Sequence, residues 1–224
     1  MINNIVEFGI TNISSYLFLT EPVSSEFLTI RTVIFLITSY LYGAIPFHLI
    51  STYVFNRQKV DELKSRPFSV TYTFKISGRK AGSLTVLGDI TKAIFPLSLA
   101  YFFYEAELIA SLTFVFAGLI GAYYSVFLKG SGGLGFTVYI WSLLLLSPFS
   151  FLAFVAMGPI IMIFKKDLFF ITLVTYGLTP VWIYLIERDI IFSIYGVLVA
   201  LLLISKIKLL SQELKGTSFK KIVE

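Results

Sequence analysis

Leu28 to Phe55 reads "LTIRTVIFLITSYLYGAIPFHLISTYVF", and in those 28 residues the only full charge is Arg31. About 20 consecutive apolar residues suffice to cross a bilayer as a helix. An amphipathic surface helix would instead show polar residues on a regular face. The stretch therefore predicts a membrane-spanning helix. Pro46, which has no amide hydrogen to donate, predicts a kink near its end.

The pattern recurs along the chain. Apolar blocks run from Ala81 to Phe103 and from Ala106 to Leu128, joined through Glu105. Next come "LGFTVYIWSLLLL" and "FSFLAFVAMGPIIMIF", separated by Ser147–Pro148, then Leu168–Ile186 and Ile190–Ser205. Overall 57% of the residues are hydrophobic and 14% charged, with a mean hydropathy of +0.86. A soluble domain is nearer about a quarter charged. The expectation is an all-α polytopic membrane helix bundle of about seven short transmembrane helices. Residues 1–27 form an N-terminal extension suited to the membrane interface, 28–207 the transmembrane domain, and 208–224 a basic tail.

The charges orient the bundle. With the N-terminus outside, the inner segments would be 56–80, 129–134, 165–167 and the tail from 206. Together they carry 15 of the 18 Lys and Arg residues. Glu7, Glu21, Glu26, Glu105, Glu107, Glu187 and Asp189 would then lie outside. Cytoplasmic loops are enriched in Lys and Arg, so the expected topology is N-out/C-in in the cell membrane, with the polar loops cytoplasmic. Fusing the two short blocks around Ser147–Pro148 into one span would put Lys165 and Lys166 outside, which favours seven spans over six. "MINNIVEFGI" lacks the basic start of a signal peptide, so the whole chain is expected to be the mature protein. The basic residues follow topology and accompany no nucleic-acid motif. With no cysteine and a single histidine, neither a metal site nor a cofactor is expected. Nothing in the sequence signals an oligomeric state.

Few polar groups remain for chemistry. "KGSGGLG", Lys129 to Gly135, has the glycines to turn its N–H groups onto an anion, with Lys129 as a point charge. It lacks the Lys-Ser/Thr ending of a nucleotide-binding P-loop. A tight packing turn fits the same residues. Segment 56–80 places Lys64, Ser65, Arg66 and Lys75 where they can hold a phosphate, or simply supply topogenic charge. Asp89 and Lys92, one turn apart inside an apolar block, can pair on one helix face. His48 is either a general base or a packed histidine. Gly158–Pro159 and Gly177 to Pro180 would suit the broken helices of a transporter, but no paired repeat accompanies them.

Three stretches combine into a pattern. Gly43-Ala44-Ile45-Pro46-Phe47 is followed by "KSRPFSVTYTFKISGRKAGSLTVLGDITKA" and then by "GAYYSVFLKGSGGLG". In this order and spacing the chain resembles the bacterial acyl-phosphate:glycerol-3-phosphate acyltransferase family, integral inner-membrane enzymes that make lysophosphatidic acid. "QELKGTS", Gln212 to Ser218, echoes the family's C-terminal motif.

The resemblance implies a membrane protein of phospholipid synthesis. Its partners would be membrane phospholipid, acyl phosphate and glycerol 3-phosphate. It implies a catalytic role for Ser65; His48 is a catalytic candidate from its position alone, and Lys64, Arg66, Lys75, Lys129, Ser131, Gly132, Gly133 and Gly135 are the candidates for phosphate binding. Pro46, Asp89 and Lys92 would give structural support. The chain departs from the family pattern where chemistry is expected: Ala44 replaces a serine, Ala122 a histidine, Leu134 a lysine, and Pro67 and Tyr72 two asparagines. Neither alanine nor leucine can accept a proton or neutralise a phosphate. A second reading therefore stands beside the first: a catalytically inactive relative that binds a phospholipid or acyl phosphate, or a partner enzyme. His48, one turn beyond Ala44, is the group able to replace the missing base.

Overall fold

The computed structural model describes residues 30–64 and 70–214, which form helices and connecting turns and contain no strand. The expected extension 1–27 lies outside the described residues.

The stretch that opens the sequence argument forms two helices. α1 (Ile30–Ala44) and α2 (Phe47–Phe55) meet at an angle of 41°. Ile45 and Pro46 make the break. Pro46 cannot extend the bonding of α1, and its carbonyl instead accepts from the Leu49 and Ile50 amides that start α2. Segment 56–80, expected as a polar loop, is partly helical. It contains a 3-10 turn (Arg57–Lys59), α3 (Val60–Lys64) and α4 (Val70–Ser77). α4 packs because Gly82, having no Cβ, receives the Phe74 ring. Buried Ser77 also shares a 2.8 Å hydrogen bond with Thr52 of α2.

α5 (Arg79–Tyr104) and α6 (Leu108–Tyr123) follow, then a 3-10 turn (Val126–Leu128) and the glycine loop. The rest is α7 (Phe136–Leu146), α8 (Pro148–Phe164), α9 (Leu168–Glu187), α10 (Ile190–Ser205) and α11 (Ile207–Leu214). Among the described residues, three helical segments are long and apolar enough to cross a membrane: α5, Leu108–Leu128 and α9. The bent α1–α2 pair makes up to a fourth. α7, α8 and α10 are apolar but shorter. At 1.5 Å per residue, the 11 residues of α7 span only about 16 Å.

The core centres on α6, whose Leu112, Val115 and Leu119 pack with Val138 and Leu143 of α7, Ile183 of α9 and Val199 of α10. The outside is apolar as well: Ile30, Phe102 and Phe164 are 82%, 74% and 83% exposed. Water would penalise such a surface, whereas lipid does not. At one end, Ser147 starts α8 by accepting from the Ser150 amide at 3.0 Å. The Ser147 and Ser150 hydroxyls both donate to Glu187, which ties the α7–α8 corner to the end of α9. The basic tail begins as α11, whose Leu210 is fully buried in the core.

α1 crosses α6 with backbone against backbone. A Cβ on Gly43 would collide with the Gly118 carbonyl, and one on Gly121 with the Tyr40 carbonyl. Small residues permit such approaches between helices in lipid. Gly121→Ala is thus expected to destabilise the protein by about 1–3 kcal/mol. The melting temperature in detergent would fall by roughly 2–12 °C. Gly177→Ala, at a helical glycine with no atom within 4 Å of the added Cβ, should leave it unchanged or raise it.

Candidate active site

The α1–α6 crossing brings the end of α1 beside the end of α6, and both open into a cavity of about 280 Å³. Its walls come from the α1–α2 break and His48, the start of α4, one face of α5, Ala122 of α6, the glycine loop and the first turn of α7. All three stretches singled out in the sequence thus converge on one space.

Ser125 makes the junction. Its hydroxyl donates to the Ala44 carbonyl at 2.5 Å, satisfying an end of α1 that has no intrahelical partner. Its own carbonyl accepts from the Leu128 and Gly130 amides at 3.1 and 2.8 Å. The loop then folds back on α6. Gly132 lies against the Ala122 and Tyr123 carbonyls, where a Cβ would not fit. The Gly133 amide bonds the Ala122 carbonyl at 3.0 Å. That amide is a helix cap and is not available to an anion. Gly135, at φ 58°, starts α7. The Phe136, Thr137 and Val138 amides in the first turn have no intrahelical acceptor, so the positive end of α7 lies at the cavity.

Lys92 supplies the charge. It is 6% exposed, lines the cavity, and its ammonium lies 3.2 Å from Asp89 and 5.4 Å from the Phe47 ring centre. That ring fits where Gly88 has no side chain. A buried ammonium is tolerable only with such a carboxylate beside it. One face of α5 therefore carries both the cation and its counter-charge. Thr85, on the same face, shares a 2.6 Å hydrogen bond with Ser51 of α2.

The anticipated site residues separate into groups. His48, Pro46, Asp89, Lys92, Gly132, Gly133 and Gly135 line the cavity. Lys75, Lys129 and Ser131 are exposed and outside its wall; Lys75 lies 6.0 Å from the Tyr72 ring centre. Ser65, Arg66 and the Lys64 side chain lie outside the described residues. Ala44 and Ala122 line the cavity as bare methyl groups. Leu134, 3% exposed, is packed into the main core and also lines the cavity. Thr71, which the sequence places among the groups of segment 56–80 able to hold a phosphate, also lines the cavity, as do Thr85, Ser125 and Thr137, which sequence reading did not select as site residues. The one signal of Thr85, Ser125 and Thr137 was a hydroxyl next to a glycine loop or inside an apolar block.

A helical membrane protein with a cation and a helix N-terminus at one cavity is the class these features define. Residues 33–214 match the sequence profile of glycerol-3-phosphate acyltransferase. The glycerol-3-phosphate acyltransferase of Desulfotalea psychrophila is 32% identical over 180 residues, 76% of this chain and 87% of that protein. That of Ruthia magnifica is 30% identical over 170 residues, 75% and 85% of the two chains. The chain belongs to the glycerol-3-phosphate acyltransferase family. Its fold is similar to the crystal structure of PlsY (YgiH), an integral membrane glycerol 3-phosphate acyltransferase, in its glycerol 3-phosphate form. The TM-score is 0.68 at 17% identity, covering 85% of this chain and 98% of that one. The lysophosphatidic acid form gives 0.62 at 20% identity, covering 81% and 88%.

Ser125→Ala removes the bond to Ala44 and strands a buried carbonyl. A loss of about 1–3 kcal/mol is expected, read from unfolding in mixed detergent–SDS micelles.

Proposed function

We propose that this protein transfers an acyl group from an acyl phosphate to glycerol 3-phosphate, at the cavity between α1, α5, α6 and α7. The observation that carries the reading is the convergence of the family's motif segments on one space that holds Lys92 and the amide end of α7. Both attract an anion, and a phosphate fits their combined charge and donors.

In this reading Lys92 and the first turn of α7 hold a phosphate, with Thr137 and Thr71 as further donors. His48 takes the proton of the glycerol hydroxyl. The hydroxyl oxygen attacks the acyl carbonyl carbon, forming the ester, as the bond from that carbon to the phosphate oxygen breaks and inorganic phosphate leaves. The alanines at 44 and 122 and the buried Leu134 leave proton transfer to His48. Lys64, Ser65, Arg66, Lys75 and Lys129 then serve the approach of anionic substrates from the cytoplasmic side, and the acyl chain reaches the site from the lipid. The matching topology has seven spans, N-out and C-in. It is supported by the distribution of Lys and Arg and by Lys206, whose ammonium lies 4.3 Å from the ring centre of Tyr124 at the glycine-loop end of the bundle.

The test is acyl transfer from palmitoyl phosphate to radiolabelled glycerol 3-phosphate by purified protein. His48→Ala should lower the rate by about 10²–10⁴-fold. Lys92→Met combined with Asp89→Asn, which strands no carboxylate, should raise the Michaelis constant for glycerol 3-phosphate by about 10–100-fold. Transfer unaffected by His48→Ala would keep the reaction and remove His48 from it. A folded protein that binds lysophosphatidic acid but forms no product would overturn the transfer reading in favour of a binding role.

A further inference from the structure

The break between α1 and α2 carries an aromatic side chain on either side, Tyr42 before it and Phe47 after it, and both rest on α5. The Tyr42 ring stacks on Phe95 with the centres 4.4 Å apart. Its hydroxyl donates to the Thr91 hydroxyl at 3.0 Å, and Thr91 donates in turn to the Gly88 carbonyl at 2.7 Å. The Phe47 ring fills the notch that Gly88 leaves by having no side chain. It meets Tyr42 edge-on, at 6.5 Å between centres. One helical turn beyond Phe47, Ser51 shares its hydroxyl with Thr85 at 2.6 Å. From Thr85 to Phe95, α5 is thus gripped from both sides of the break.

Lys92 lies within this grip. Its ammonium sits over the Phe47 ring, 5.4 Å from the centre, inside the distance of about 6 Å at which an aromatic face attracts a cation. That attraction is strongest where water is excluded, and Lys92 is 6% exposed. Asp89 supplies the counter-charge at 3.2 Å. The two contacts differ in what they leave behind. A carboxylate oxygen takes up an N–H donor of the ammonium, whereas a ring face draws the charge and has no lone pair to occupy one. A second carboxylate or amide in place of the ring would use donors that a phosphate needs.

We propose that Phe47 is a positioning residue for Lys92: the face of its ring, braced by Tyr42, holds the ammonium in the cavity wall with N–H donors left for an anion. Phe47 directly follows Pro46, so the bend between α1 and α2 sets where the ring lies and, through it, where the charge lies. The consequence for substrate rests on the acyl-transfer reading, in which Lys92 holds a phosphate. The contact between ring and ammonium stands without that reading.

Replacing Phe47 by phenylalanines with one, two and three ring fluorines tests this, since fluorine drains charge from the ring face with little change of shape. The melting temperature in detergent should fall with each fluorine, by about 2–6 °C at the third. In the Lys92→Met, Asp89→Asn protein, which has no cation for the ring to hold, the same series should leave it unchanged. An equal fall in both proteins, or no fall in either, overturns the proposal, because packing in the Gly88 notch is then the whole role of the ring. Glycerol 3-phosphate binding, measured by calorimetry on the fluorinated proteins with Lys92 intact, should weaken in step, by about 5–30-fold at the third fluorine. Binding that fluorination leaves untouched overturns the positioning role. An unaltered protein that transfers no acyl group yet shows both trends removes the transfer reading and keeps Phe47 as the residue that positions Lys92.

Discussion

The contact between the backbones of α1 and α6 is the constraint from which the site follows. Helices in lipid gain little from hiding apolar side chains, because the solvent is itself apolar. Close association then depends on how near the backbones can come. Gly43 and Gly121 remove the side chains that would hold α1 and α6 apart. The approach puts the Ala44 carbonyl within reach of Ser125, and Ser125 then gathers the glycine loop. These glycines act mainly by permitting contact.

The same geometry changes the reading of the glycine loop. Its abundance of glycine suggested a cradle of amides for an anion, with a tight turn as the alternative. The turn accounts for Gly132, which lies against the Ala122 and Tyr123 carbonyls, and for Gly133, whose amide caps α6 at the Ala122 carbonyl. The first turn of α7, one residue beyond the loop, adds donors at the cavity. The nearest buried cation is Lys92 on α5, not Lys129 on the loop. Leu134 lies in the core because an aliphatic side chain gains there what a lysine would lose by desolvation.

Asp89 and Lys92 illustrate how a supporting pair becomes part of a site. Spaced by one turn, they face the same way, and a buried ammonium without a carboxylate would be prohibitive in this setting. The pair holds the cation in the wall at 3.2 Å from its partner. The cost of charging the cavity is therefore met within one helix, while positions 44 and 122 contribute only methyl groups to the wall.

The sequence by itself determined the helical class, the membrane setting and the family. Block hydropathy and residue order are properties of the chain that need no packing to be seen. The helix limits also followed from local rules: Pro46 breaks α1 from α2, and Ser147–Pro148 begins α8. The helices within 56–80 escaped notice because their stability comes from packing, Phe74 on Gly82 and Ser77 on Thr52, rather than from a strong local pattern. Only the tertiary structure decided which polar groups share a cavity. Ser125, Thr85, His48 and Lys92 are spread over 78 residues of sequence. Their meeting depends on interhelical distances that glycine contacts set and that no local periodicity encodes.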